Sequence, residues 1–212
     1  FAEEIIAIDK SSTDETPHIA SRHADRVITV PWSPTVEETR EFAVSCAKHD
    51  WILLLDDDEC LSVEAVRFIE EELKCPRADV YALPQRHYIL GRHDEAAYYW
   101  PEYQPKLFRR GSLILSATVH GGVVRAPTAR LFAVPPETGA CIHHLSHKNV
   151  SQWIEKANRY TNNPDRLSTE DFSSDIAAYA HGRIDAFMAA TKSGGPDGYP
   201  AAVGVLRSVY DI

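Results

Sequence analysis

Three consecutive aspartates, Asp56, Asp57 and Asp58, follow the apolar run Trp51-Ile52-Leu53-Leu54-Leu55. A short, wholly apolar run is expected to be a strand buried on both faces, and carboxylates at its C-terminal tip stand where open α/β sheets hold their ligands. Alternation along such a strand would put Asp56 and Asp58 on one face, roughly 6 to 7 Å apart, with Asp57 turned away. Two carboxylates so spaced can hold one hard divalent cation, directly or through its water, and leave positions for diphosphate oxygens. The same residues also suit an acidic loop or helix cap, with Asp58 or Ser62 capping a helix that starts near Val63.

Elements that alternate between strand and helix must position these acids. Strands are expected over 5–8 and 26–30, and helices near Ile19, Ala20 and Ala24, over 36–47, and over 63–73, where Val66, Ile69 and Leu73 share a face. This is the pattern of a parallel sheet covered by helices. Beyond it, 80–90, 106–110 and 113–124 read as β segments separated by Gly91, Pro101, Pro105 and Gly111, an antiparallel extension. Helical spacing returns over 150–161 and again from Ile176 to Met188, before the Ser193-Gly194-Gly195-Pro196 breaker. The expected organisation is a catalytic α/β part, residues 1–148, and a C-terminal helical part of the same domain, residues 149–212.

Composition narrows the function classes. The 212 residues are 44% hydrophobic and 25% charged, the balance of a soluble globular chain. A formal charge of −9 without a basic run argues against nucleic-acid binding, so an anionic substrate must meet local cations or a metal. Cys46, Cys60, Cys75 and Cys141 form no C-x-x-C pair, which fits reduced thiols in a cytosolic protein. No apolar stretch reaches the roughly 18 residues of a membrane span, and no signal peptide is seen. Phe1 is not an initiator methionine and stands almost inside a strand, so a fragment of a longer protein is expected.

In order along the chain, these features resemble the family 2 inverting glycosyltransferases, particularly the branch of lipopolysaccharide-core glucosyltransferases. Ile6-Ala7-Ile8-Asp9-Lys10-Ser11-Ser12-Thr13-Asp14-Glu15-Thr16 resembles the family's strand-two motif, and Asp56-Asp57-Asp58-Glu59 its D-x-D-E motif. Arg40 falls where the family carries an arginine near the sugar nucleotide. Pro101-Glu102-Tyr103-Gln104-Pro105-Lys106-Leu107-Phe108-Arg109 is similar to its acceptor-side segment, Val119-His120 to a V-H motif, and His144 with Lys156-Ala157-Asn158-Arg159-Tyr160-Thr161 to an H-x-S…K-x-x-R-Y-T signature. Two departures stand out: the family's first strand and K-N-E segment have no counterpart, so the nucleotide pocket is expected to lack one wall, and Gly121 replaces the glutamate that often follows the V-H histidine.

The resemblance implies a Rossmann-like nucleotide-diphospho-sugar transferase fold of glycosyltransferase A type, a mostly parallel sheet with an antiparallel extension and C-terminal helices. It implies metal-dependent transfer, with inversion, of a sugar from a nucleotide diphosphate donor, most simply a UDP-sugar, to a glycan or lipid-linked acceptor in bacterial surface-polysaccharide assembly. The location would be cytoplasmic, extending to peripheral contact with the inner face of the membrane.

Asp58 is expected to ligate Mg²⁺ or Mn²⁺ directly, with Asp56 on the ribose or the metal's water and His144 near the metal or diphosphate. Asp9 would accept from the uracil imide or cap its own turn. Arg40 would pair with phosphate, or with Glu37 or Glu41 on its own helix. Lys156 and Arg159 would hold phosphate groups or be plain exposed helix polarity. Glu102, then His120, are the expected acceptor-side bases, with Glu95 and Asp94 behind them. His143, His144 and His147 look like a zinc set, but the resemblance singles out His144 alone. The competing class is a noncatalytic nucleotide-sugar or glycan-binding module.

Overall fold

The structure is a computed structural model that describes residues 1–95, 100–116, 123–161 and Asp185, with side chains left out at 157 and 159–161. Two compact units emerge: Phe1–Pro84 with Tyr103–Ile142, and Gln85–Glu102 with His143–Ile212. Their boundaries fall within three strands, β5 (Val80–Ile89), β6 (Glu102–Arg109) and β10 (Ile142–His147).

The first unit opens with β1 (Ile6–Asp9) and β2 (Arg26–Thr29), paired in parallel from Ile6↔Arg26 to Asp9↔Thr29 and joined through the short helix α1 (Thr16–Ala20). A parallel strand-helix-strand unit of this kind delivers the C-terminal end of β1, Asp9, at the same edge as the end of β2. Helix α2 (Glu37–Cys46) follows, with Glu37 and Glu38 in the first turn, where carboxylates complement the helix dipole. β3 (Trp51–Leu53) pairs antiparallel with β6, Trp51 opposite Arg109 and Leu53 opposite Leu107. The larger sheet, ordered β3-β6-β5-β10-β4 with β9 (Leu131–Ala133) alongside β5 in parallel, is therefore mixed. A hairpin of β7 (Leu113–Leu115) and β8 (Val123–Arg125) lies apart from it.

The apolar run before the aspartates is covered on both faces, as its composition requires. Trp51, Leu53 and Leu55 pack against a cluster built on Tyr81, Leu83, Leu107, Val134 and Ile142, while Ile52 and Leu54 belong with Val80, Phe108 and Ala129. The period-2 alternation thus sorts one run into two cores. After β4 (Glu59–Leu61), helix α3 (Val63–Glu72) is capped by Ser62, whose Oγ accepts from the Ala65 N–H at 3.0 Å. The cap is Ser62 and not Asp58. Ser62 also donates to the Gly139 carbonyl and accepts from the Cys141 N–H, tying the start of α3 to the chain before β10.

In the second unit, α4 (Val150–Thr161) covers the expected residues, with Trp153 buried and stacked on His147 at 4.4 Å between ring centroids. The helix expected from Ile176 to Met188 lies outside the described residues. No helix among the described residues is long and apolar enough to cross a membrane.

Candidate active site

The aspartate triplet is not the end of a strand. β3 stops at Leu53, and Asp56 to Glu59 form a tight turn in which the Glu59 N–H donates to the Asp56 carbonyl at 3.0 Å. Asp56 and Asp58 therefore do not alternate along one strand face, which corrects the spacing argument from sequence. Asp57 and Asp58 occupy the central positions of the turn; Asp57 is exposed and Asp58 half-buried. The Asp56 N–H closes the turn from the other side by donating to Glu59 Oε2 at 2.9 Å.

Pairing with β6 brings a cation to this turn. The Leu54 N–H donates to the Lys106 carbonyl at 2.8 Å, so Lys106 stands two residues short of Asp56, within reach of a four-carbon stem. Its ammonium lies 3.0 Å from Asp56 Oδ2 and 2.7 Å from Glu59 Oε2, in a setting where the Lys106 and Glu59 side chains are only 8% and 2% exposed. Arg40, from the first turn of α2, reaches both Asp56 oxygens at 3.1 and 3.3 Å and approaches Glu37 at 3.8 Å. Of the alternatives weighed for Arg40, the pairing with Glu37 on its own helix is present, but its principal partner is Asp56. Burial pushes the Asp56 carboxyl up, yet Lys106 and Arg40 outweigh it and hold the group below the usual aspartate value. Arg40 Nε and Glu37 Oε2 are buried without a hydrogen-bond partner.

Asp9 is buried at the end of β1, where its Oδ1 accepts from the Ser12 N–H at 3.2 Å. The turn that follows is held by Ser11, at φ 58°, donating to the Val30 carbonyl, and by Lys10 donating to the Thr35 carbonyl. The turn-capping role foreseen for Asp9 is present.

The second unit holds Glu102, Glu95 and Asp94 of the acceptor-side candidates. His87 Nε2 lies 2.9 Å from Glu102 Oε2, and His87 Nδ1 lies 2.8 Å from His144 Nδ1. His143 instead faces the Tyr88 hydroxyl at 3.0 Å, and His147 faces Ser146. Strand alternation therefore sends the neighbouring histidines to different partners. Lys156 donates to the Ser146 carbonyl at 2.9 Å. Glu95 pairs with Arg86, whose guanidinium lies over the Trp100 ring at 5.3 Å. His120 lies outside the described residues, as does the Arg159 side chain.

Among the described residues no three His, Cys, Asp or Glu side chains converge to hold a metal ion. The donor set of the turn is nonetheless hard oxygen, and a cation shared with a diphosphate needs only one or two protein carboxylates. The turn carries the Asp58 carboxylate at its centre, and Asp56 is engaged by two cationic side chains. Sequence reasoning missed Lys106, Glu59 and His87. The first two lie inside quoted motifs, and only their register across β3 and β6 reveals the pairing; His87 carries no motif signal at all.

The chain is 29% identical over 168 residues to an uncharacterized glycosyltransferase of Rickettsia bellii, covering 76% of this chain and 57% of that protein. A counterpart in Rickettsia felis is also 29% identical over 168 residues, covering 76% and 59%. The chain thus spans a little over half the length of these curated relatives. The crystal structure of S. aureus TarS 1-349 aligns with a TM-score of 0.44 at 12% identity, over 98% of this chain and 80% of that one. Residues 2–132 match the sequence profile of glycosyl transferase family 2. Because that match takes in more than half of the 212 residues and includes Asp9, Arg40, the aspartate turn and the Glu102 to Lys106 segment, the chain belongs to glycosyl transferase family 2, with its α/β nucleotide-sugar transferase fold.

Proposed function

We propose that this chain carries the donor and catalytic residues of a metal-dependent inverting glycosyltransferase that uses a nucleotide diphosphate sugar, a UDP-sugar in the simplest case. The observation that carries the reading is the Asp56 to Glu59 turn of a family 2 chain, locked by Arg40 and Lys106, with Asp58 at its centre. In this reading Asp58 is the direct ligand of Mg²⁺ or Mn²⁺, and Asp56 is a fixed acceptor for the ribose or for water on the metal. The cation supplies counter-charge to the departing diphosphate. Arg40, with its buried unpartnered Nε, adds positive charge beside the same group. Asp9 accepts from the uracil imide, and Lys156 and Arg159 serve phosphate groups of donor or acceptor.

On the acceptor side, Glu102 takes the hydroxyl proton. The acceptor oxygen forms its bond to the anomeric carbon while the carbon–oxygen bond to the diphosphate breaks, its electron pair leaving with the diphosphate. The acceptor is a glycan or lipid-linked sugar of bacterial surface-polysaccharide assembly, a reading in keeping with the bacterial relatives.

Calorimetric titration of UDP with and without Mn²⁺ tests the donor half. Asp58→Asn keeps the side chain's size but removes the charge that holds a hard cation against water, so Mn²⁺-dependent binding should fall by at least tenfold. Asp57→Asn, at the exposed position of the same turn, should change it little. Equal behaviour of the two variants would falsify the ligand assignment.

A further inference from the structure

Chemistry in the second unit is divided between the two sides of its strands. On β5, Arg86 and Tyr88 turn toward Trp100 and His143, while His87 between them turns toward Glu102 and His144. On β10 the same alternation parts His143 from His144. The result is an unbroken line of polar atoms from Glu102 Oε2 to His87 Nε2 at 2.9 Å, through the ring, and from His87 Nδ1 to His144 Nδ1 at 2.8 Å. His87 is 13% exposed, and its own carbonyl lies 3.2 Å from His93 Nδ1, which holds the strand in place from the far side. Arg86 on β5 pairs with Glu95 in the following loop, which also carries Arg92 and Asp94.

We propose that His87 is a positioning residue for Glu102, and that His144 sets the tautomer in which His87 does this. The inference rests on Glu102 as the acceptor-side base. Its logic is proton counting. Only one proton fits between two nitrogens 2.8 Å apart, so one imidazole donates there and the other accepts. An ionised Glu102 can only accept, so His87 Nε2 carries a proton. A neutral His87 then has a bare Nδ1, and His144 must donate from Nδ1, the tautomer that free histidine populates less. Glu102 is thereby held with one oxygen against an imidazole N–H and oriented, in the way that an outer partner fixes a working side chain elsewhere.

Long-range ¹H–¹⁵N spectra of the whole chain, labelled at histidine and recorded near pH 8, where ordinary imidazoles are neutral, read the tautomers directly. His87 should show protonated Nε2 with bare Nδ1, and His144 protonated Nδ1 with bare Nε2. Glu102→Ala removes the acceptor and should move His144 toward the ordinary Nε2-protonated form. A His144 already in that form in the unaltered chain, or one unmoved by Glu102→Ala, overturns the proposal.

Hydrolysis of UDP-glucose with Mn²⁺ supplies the second reading. Glu102→Gln should lower turnover about 10²- to 10⁴-fold and His87→Gln about 10- to 100-fold. The double variant should be no slower than Glu102→Gln alone. Full turnover by Glu102→Gln would remove the base assignment while leaving the tautomer result to stand or fall by itself. A His87→Gln loss that persists undiminished on the Glu102→Gln background would instead show that His87 does not act through Glu102.

Discussion

Replacing Lys106 by methionine keeps most of the side-chain stem and removes one charge from a nearly solvent-free place. The ammonium sits 2.7 Å from Glu59 and 3.0 Å from Asp56, with the Glu59 side chain 2% exposed. At an effective dielectric of 20, those separations correspond to gross attractions of about 6 and 5.5 kcal/mol. Desolvation of all three groups offsets much of that. Asp56 keeps Arg40, so the loss falls chiefly on Glu59, and the net cost of removing one partner of a buried pair is about 3–5 kcal/mol. Against a total stability of about 5–15 kcal/mol this is large, and urea unfolding followed by tryptophan fluorescence measures it.

Two further arms separate charge from packing. Lys106→Met with Glu59→Gln removes the ammonium and the buried carboxylate together, so it should be more stable than Lys106→Met alone, a non-additivity of at least about 1 kcal/mol. The pH dependence has a definite sign. The folded-state pKa of Asp56 lies below its ordinary value, so the stability it contributes is present above the unfolded value and is lost as pH falls through the folded one. Lys106 is the stronger of the two cations that lower Asp56, so the part of this stability it supplies is missing from Lys106→Met at pH 7 and is lost to the unaltered protein in acid. The gap between the two proteins should therefore narrow as pH falls below the ordinary aspartate value. A Lys106→Met cost below about 1 kcal/mol at pH 7, the value of an exposed ion pair, or a gap that widens in acid, would refute the reasoning.

Ser62→Ala removes a helix cap that also bridges to Gly139 and Cys141, so it should cost close to the upper end of the 0.5–2 kcal/mol range, read from the same unfolding experiment. Gly139→Ala should cost about 1–2 kcal/mol, because φ of 73° disfavours any Cβ and the new atom would meet Glu64 Cγ at 3.3 Å. Arg40→Lys keeps charge but loses the two-oxygen grip on Asp56, and UDP affinity with Mn²⁺ should drop several-fold while the melting temperature moves little.

The periodicity of the chain was enough to place most elements, and for a local reason. Apolar spacing, capping residues and breakers act within ten residues, which is why α4 covers the expected 150–161 and β5, at 80–89, the expected 80–90 to within a residue. The short strands β4, β9 and β10 escaped notice because their sequences, such as Ile-His-His-Leu-Ser-His, have no strand-like pattern of their own and exist through pairing with neighbours distant in sequence. The order of motifs likewise carried the family, since Asp9, Arg40, Asp56 to Asp58 and Glu102 appear in sequence as residue types at fixed spacings.

What residue types do once folded was a different matter. The aspartates were legible as a site, but their geometry was read as a strand tip when it is a turn, because the chain closes onto Glu59 and that closure depends on Lys106, nearly fifty residues away. The register Leu53↔Leu107 decides that partnership, and a register is a property of two strands that neither one encodes alone. The same holds for Glu102 and His144. Sequence could name each as reactive, yet the imidazole of His87 that joins them is supplied by a third strand, and only tertiary structure brings three strands to one place.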